Sequence, residues 1–200
     1  MRRFLRVNRR GDDGLVKKEA YLVFGAESSG NHLVADILIN AGCLGHSGDH
    51  PDWHGDFKGW TDAQPWDESP PTDETPIVWR RSIPHGGEWI SIAAFIKTIK
   101  ERGYEVKCVV VIRELHPTVE SQLKWRHVQS RDQGVSNIAR AYLHIFTHIA
   151  RADVPFVVTS YEALVNYPEA QDLLLEELGI PLPPERLETW DGNKKWYSGS

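Results

Sequence analysis

The sequence predicts an α/β fold in three layers, a mainly parallel sheet with helices on both faces. Four short apolar runs, AYLVF at 20–24, PIVWR at 76–80, VKCVVVI at 106–112 and VPFVVTS at 154–160, read as buried strands. Stretches with apolar residues at helical spacing stand between them. Strands that alternate with helices pack most simply as parallel strands joined by crossovers. The unbroken β-branched run within 106–112 points to a central strand covered on both faces.

The first strand stops at Gly25. Residues 31–41 then place Leu33, Val34, Ile37, Leu38 and Ala41 on one helical face, with Gly42 as the C-cap. Residues 44–76 are rich in Gly, Pro, Asp and Trp and show almost no period, which predicts a long irregular loop of the kind used as a lid or binding loop. A helix over 88–102 carries the stripe Ile92, Phe95, Ile96 and Ile99. Pro117 suits the first turn of a helix running to Val128. Further helices are expected over 134–151 and 168–178, the last closing on Gly179. There is no internal repeat, and 200 residues lead to the expectation of one domain over 1–200.

A formal net charge of -5 argues against a general nucleic-acid binder, which needs a basic face to displace counterions, but leaves room for a local anion site. No apolar stretch approaches the roughly 18 residues of a membrane span. The basic N-terminus lacks the apolar core of a secretory leader. Cys43 and Cys108 stand in apolar surroundings and read as buried thiols rather than a disulfide framework, so a cytoplasmic, reducing setting is expected.

YLVFGAESSGNHLV passes from strand through a glycine-bounded turn into a helix. Small residues at Gly25, Ala26, Ser28, Ser29 and Gly30 let the backbone curl so that its N–H groups converge, and the helix adds its positive end. The spacing of Gly25 and Gly30 is that of G-x-x-x-x-G-K-[ST], but Asn31 and His32 stand where Lys and a hydroxyl would reach triphosphate and Mg²⁺. This weakens an ATP- or GTP-hydrolysing role. An ordinary strand-to-helix turn is the plainer alternative. Downstream, Arg113 follows the central strand and Ser121 lies eight residues on. An Arg at the carboxyl end of a parallel strand offers a bidentate fork to a phosphate. The alternative is a surface Arg paired with Glu114 or Glu120.

These residues resemble the sulfotransferase family. Its members carry a Ser-Gly phosphosulfate loop after the first strand, matched by residues 25–32, and an Arg with a Ser eight positions beyond for a 3′-phosphate, matched by Arg113 and Ser121. VPFVVTSYEALVNYPEAQDLLLEELGIPLP at 154–183 resembles the family's strand, Tyr-Glu-x-Leu turn, x-Pro, helix and Leu-Gly ending. The resemblance implies a P-loop nucleoside-triphosphate-hydrolase-like fold. It also implies 3′-phosphoadenosine-5′-phosphosulfate as co-substrate, no metal, and a small-molecule or glycan acceptor. It assigns Gly25, Ala26, Glu27, Ser28, Ser29, Gly30, Asn31, His32, Arg113 and Ser121 to the donor. Two departures stand out. The family's loop Lys is replaced by Ser28, and the basic glycine-rich C-terminal loop is reduced to GNKKWY at 192–197, whose Lys194 and Lys195 supply cations.

Sulfonate transfer needs a held donor, charge stabilisation on the leaving phosphate and a base for the acceptor proton. The backbone N–H groups around Ser28–Asn31 answer part of the second need, and His32, or one of Lys58, Arg80, Arg81, Lys194 and Lys195, the rest. His85, just past the second strand and beside Gly86 and Gly87, is the first choice of base, ahead of His32 and Glu27. A loop His that bonds locally is the alternative. Glu27 and the acidic run at 62–74 read most simply as a solvated face. His46, His50 and His54 recur every four residues, but Pro51 and the glycines around them argue against a helical metal face. Trp53, Trp60 and Trp66 either line an acceptor pocket or pin the loop, while Trp79 and Trp125 read as packing residues. A small-molecule or nucleotide phosphotransferase and a non-catalytic nucleotide-binding relative remain the alternatives.

Overall fold

The computed structural model of the protein describes residues 18–45, 76–85 and 87–197. Lys58, His46, His50, His54, Trp53, Trp60, Trp66, the acidic run at 62–74 and Gly86 lie outside the described residues.

Four strands, β1 (Lys18–Ala26), β2 (Ile77–Ile83), β3 (Tyr104–Ile112) and β4 (Phe156–Ser160), form one sheet in the order β2-β1-β3-β4. Every pairing is parallel, as the alternation of strands and helices predicts. Between and after them run α1 (Asn31–Asn40), α2 (Ile92–Glu101), α3 (Leu115–Lys124), α4 (Arg131–Ala152), α5 (Tyr161–Asn166), α6 (Glu169–Leu178) and α7 (Lys194–Tyr197). Successive side chains of a strand point to opposite faces. Ala20, Leu22 and Phe24 of β1 therefore join one core with Trp79, Ile96, Ile99, Ile138 and Ile145, while Tyr21 and Val23 join a second with Val34, Leu38, Leu164 and Leu175. These two cores make the three layers. Helices α2, α3 and α4 cover one face, and α1, α5 and α6 the other. Burying each such aliphatic or aromatic side chain contributes on the order of 1.5–3 kcal/mol.

The expected stripe of α2, Ile92, Phe95, Ile96 and Ile99, is buried, and Cys43 and Cys108 are both buried free thiols. Helix α1 ends as expected at Gly42, where the Cys43 N–H reaches the Leu38 carbonyl at 3.0 Å and the Gly42 N–H reaches Ile39 at 2.9 Å. The ends of the long connection meet, with Leu44 N–H donating to the Pro76 carbonyl at 2.7 Å.

Three expectations need correction. The last strand is not buried, because Phe156 and Val158 are exposed along a sheet edge. Helix α3 stops at Lys124 rather than near Val128, since Arg126 takes a left-handed φ of 59°. Trp125, in that same turn, is 65% exposed and is no packing residue, whereas Trp79 is buried against Phe95.

Candidate functional site

The loop after β1 is tied down by its own side chains. Ser29 N–H donates to the Ala26 carbonyl at 3.0 Å, closing the turn. Ser29 Oγ donates to Asn31 Oδ1 at 3.1 Å, and Asn31 Nδ2 donates across to Ser82 Oγ of β2 at 3.2 Å. Both side chains are buried and bonded within the loop, and the Ser29 N–H is spent on Ala26, so neither side chain is offered to an anion. Gly25 is required by close approach. A Cβ there would lie 2.3 Å from Ser29 Oγ and 2.7 Å from the Val111 carbonyl. Gly30 caps α1 at φ 96°, leaving the N–H groups of the first turn without intrahelical partners at the positive end of the helix. His32 is exposed on that turn. Beneath the loop, the Tyr142 hydroxyl of α4 donates to the Val111 carbonyl at 2.9 Å. Burial pushes that phenol up to about 12, against hydrogen bonds from the Ala26 backbone and the Ser29 side chain.

Arg113 leaves the end of β3 and turns back to this loop. Its Nη1 donates to the Ser28 carbonyl and its Nε to Asn193 Oδ1, each at 2.8 Å, while the guanidinium lies over the Tyr161 ring at 4.3 Å. It pairs with neither Glu114 nor Glu120. Glu120 belongs to Arg131, and Glu114 takes a hydrogen bond from Tyr197. Burial draws the Arg113 guanidinium below its ordinary value, with Tyr161, Glu162, Asp191 and Tyr197 pulling the other way.

The Tyr-Glu-x-Leu segment at 161–164 builds the rest of this corner. Ser160 caps α5, and the Glu162 carboxylate accepts from the Glu114 N–H at 3.0 Å and from Asn193 Nδ2 at 2.8 Å. The Tyr161 hydroxyl accepts from the Gly192 N–H at 2.9 Å. The chain at 191–197 is thus docked beside Arg113 and delivers Lys195. Lys195 Nζ lies 5.0 Å from the centre of the Trp196 ring, with Lys124 Nζ 5.8 Å from the same centre. Burial, then Lys124, then Arg113 lower the Lys195 ammonium below its ordinary 10.5. Lys195, Lys124 and Arg113 thus make a cluster of like charges. Ser121 is buried on α3, one turn before Lys124. Lys194 is exposed.

Glu27 corrects the expectation of a solvated carboxylate, being only 8% exposed. Its Oε1 lies 3.6 Å from His85 Nδ1 and 3.4 Å from His127 Nδ1, and Gln122 Nε2 donates to its main-chain carbonyl at 2.7 Å. His85 thus stands at the end of the sheet where the loop after β1 lies, held by paired main-chain bonds with Glu88 at 3.2 and 2.9 Å. Arg81 is buried and pairs with Glu88 at 3.8 Å. Sequence reasoning passed over Asn193, Lys124, His127 and Tyr142. The quoted Tyr-Glu-x-Leu resemblance held the signal for Tyr161 and Glu162, while the others carry none in their local pattern.

Among the described residues no group of three or more His, Cys, Asp or Glu is placed to hold a metal ion, and no helix is long and apolar enough to cross a membrane. No family model matches the chain, and no curated protein matches it. Solved structures do. A sulfotransferase domain from the curacin biosynthetic pathway superposes with a TM-score of 0.60 at 12% identity, covering 92% of this chain and 79% of its own. A sulfotransferase domain from the Synechococcus PCC 7002 olefin synthase gives 0.54 at 12% identity, covering 100% of this chain and 82% of its own. The parallel sheet, its glycine-bounded loop and these superpositions together establish that the chain has a sulfotransferase-like fold.

Proposed function

We propose that this chain is a sulfotransferase that moves a sulfonate group from 3′-phosphoadenosine-5′-phosphosulfate to a hydroxyl or amine of a small-molecule or glycan acceptor, in the cytoplasm. One observation carries the reading. Arg113 joins the phosphate loop, through the Ser28 carbonyl, to a second cluster of cations formed with Lys124 and Lys195. Two anion-binding poles, spanned by one Arg, suit a nucleotide with phosphates at both its 5′ and 3′ positions. In this reading the N–H groups of the loop and of the first turn of α1 hold the phosphosulfate, with Gly25, Ala26, Ser29 and Gly30 shaping the turn. Arg113, Ser121 and Lys195 take the 3′-phosphate, Lys194 standing alongside. His32 on the first turn and the backbone at Ser28 face the charge that builds on the leaving phosphate. His85 takes the acceptor proton.

A phosphotransferase reading fits less well. Asn31 stands where a P-loop kinase carries Lys, and its side chain is spent inside the loop on Ser82 and Ser29. Ser28 in place of the family's loop Lys favours the other alternative, a non-catalytic nucleotide-binding relative.

A thermal-shift titration separates the three, because a ligand that binds only the native state raises the melting temperature. We expect 3′,5′-bisphosphoadenosine to raise it well beyond ATP or GTP at equal concentration. A larger shift with ATP or GTP overturns the reading. A selective shift without sulfonate transfer to any member of a broad acceptor panel favours the non-catalytic alternative.

A further inference from the structure

Resting on the sulfotransferase reading, we infer that the buried carboxylate of Glu27 is a positioning residue for His85, with His127 meeting that carboxylate and Gln122 holding the Glu27 main chain from the far side.

Glu27 sits in the phosphate loop itself, directly before Ser28, where a carboxylate would repel the anion the loop is shaped to bind. The structure turns it away from that repulsion. Its side chain is buried and lies between two imidazoles that come from different parts of the fold, His85 just past β2 and His127 just past α3. Both rings present Nδ1, and both address the same oxygen, Oε1. A surface salt bridge has no need of such an arrangement, whereas a group that must be kept ionised and aimed does.

The grip from α3 is double. Gln122 Nε2 bonds the Glu27 main chain at 2.7 Å, and the chain then turns sharply so that His127 meets the Glu27 side chain at 3.4 Å. That turn puts Arg126 at φ 59°, a left-handed conformation that a residue with a Cβ seldom adopts. It is fastened by Arg126 N–H to the Leu123 carbonyl at 3.1 Å and His127 N–H to Gln122 at 2.9 Å. Backbone held in this way next to a ligand loop marks a place where position matters more than local comfort. Burial lowers the His127 imidazole below its ordinary value and so favours its neutral ring.

His85 and His127 both reach solvent, their side chains being 45% and 33% exposed, and His85 is the one beside the sheet end at β2. A carboxylate facing Nδ1 favours the tautomer with hydrogen on Nδ1, which makes Nε2 the basic nitrogen. The chemistry then balances. The acceptor O–H gives its proton to His85 Nε2, and its oxygen forms the new bond to sulfur. The bond from sulfur to the donor's phosphate oxygen breaks, and its electron pair leaves with the bisphosphate nucleotide. The imidazolium so formed is stabilised by Glu27, and the 3.6 Å separation is one that closes to a hydrogen bond as charge develops. Arg81, at the same strand end, pairs with Glu88 at 3.8 Å.

The test has two arms on the full chain. In the first, long-range ¹⁵N–¹H correlation spectra of histidine-labelled protein near neutral pH read the tautomer of His85. We expect hydrogen on Nδ1 in the wild type and a shift towards the Nε2–H form in Glu27→Gln. Hydrogen on Nε2 in the wild type overturns the proposal, and this reading needs neither turnover nor a variant that folds. In the second arm, Glu27→Gln should lower kcat by about 10²–10³-fold, within the range of a general base, while the affinity for 3′,5′-bisphosphoadenosine changes little. His127→Gln should lower kcat in the same direction by a smaller factor. Wild-type kcat in Glu27→Gln, or a loss of kcat matched by an equal loss of nucleotide affinity, overturns it. If the wild type transfers no sulfonate to any acceptor, the sulfotransferase reading fails whatever the nucleotide titration shows, and the tautomer still decides what Glu27 does to His85.

Discussion

The guanidinium of Arg113 lies 4.3 Å above the ring of Tyr161, and the same ring closes off the space beside Gly30. One aromatic side chain from α5 therefore meets both the end of β3 and the start of α1. It supports the Arg at the end of β3 and presses on the glycine that opens α1. The adjacent Glu162 fixes the chain at Asn193, which supplies the second hydrogen bond to Arg113.

Replacing Arg113 by Ala should weaken binding of 3′,5′-bisphosphoadenosine by about 10–100-fold, the scale of one or two charge-assisted hydrogen bonds. An analogue without the 3′-phosphate should lose far less. Calorimetric titration of both ligands checks this, and equal losses would place Arg113 elsewhere on the nucleotide.

Gly30→Ala should destabilise the protein. A Cβ there would sit 2.5 Å from Tyr161 Cδ2, in a residue already at φ 96°. Backbone strain of this kind costs about 1–3 kcal/mol, and a thermal melt should shift down by several degrees. A partner truncation, Tyr161→Ala, should relieve the clash but lose the support under Arg113, so the double variant should regain part of the melting temperature without regaining nucleotide affinity.

Lys195→Met tests the cation cluster. The ammonium is held below its usual value by burial and by repulsion from Lys124 and Arg113, so removing its charge should leave the ligand-free protein as stable as before or slightly more so. Affinity for 3′,5′-bisphosphoadenosine should fall about tenfold, and its salt dependence should become shallower. Melts with and without nucleotide check both signs. A destabilised ligand-free variant with unchanged affinity would make Lys195 a packing residue.

Acid should weaken the fold through His148, away from the anion site. The Ala93 N–H donates to His148 Nδ1 at 3.1 Å, and the His144 ring stands 4.2 Å away. Burial first, then His144 and Arg151, hold this imidazole below its ordinary 6.5. The folded state prefers the neutral ring, so the unfolded chain binds the proton more readily. The stability His148 contributes is whole above pH 6.5 and is lost as the pH falls from there through the lower folded value. His148→Gln keeps an acceptor for Ala93 but does not titrate. Its melting temperature should fall less steeply than that of the wild type between about pH 7 and 5. His127, lowered by burial as well, remains in the variant and keeps part of the slope.

What the sequence determined by itself is local. Hydrophobic period marked all four strands and the buried stripe of α2, because a strand or helix must cover one face wherever it is placed. The glycine-bounded loop was legible because only residues without bulk can make that turn, and Arg113 because strand ends in such sheets converge on one edge. Tertiary structure decided the rest. VVTS at 157–160 suits a central or an edge strand equally, and only the order β2-β1-β3-β4 exposes Phe156 and Val158. Glu27 reads as a surface carboxylate until α3 crosses the loop and Gln122, 95 residues away in the chain, bonds its main chain while His127 meets its side chain. Asn193 and Lys195 acquire their place only through Tyr161 and Glu162. Periodicity records which side of an element is apolar. Whether a polar group is buried, and which charge it faces, depends on which elements cross within a few ångströms of it, and that is set by packing of the whole chain.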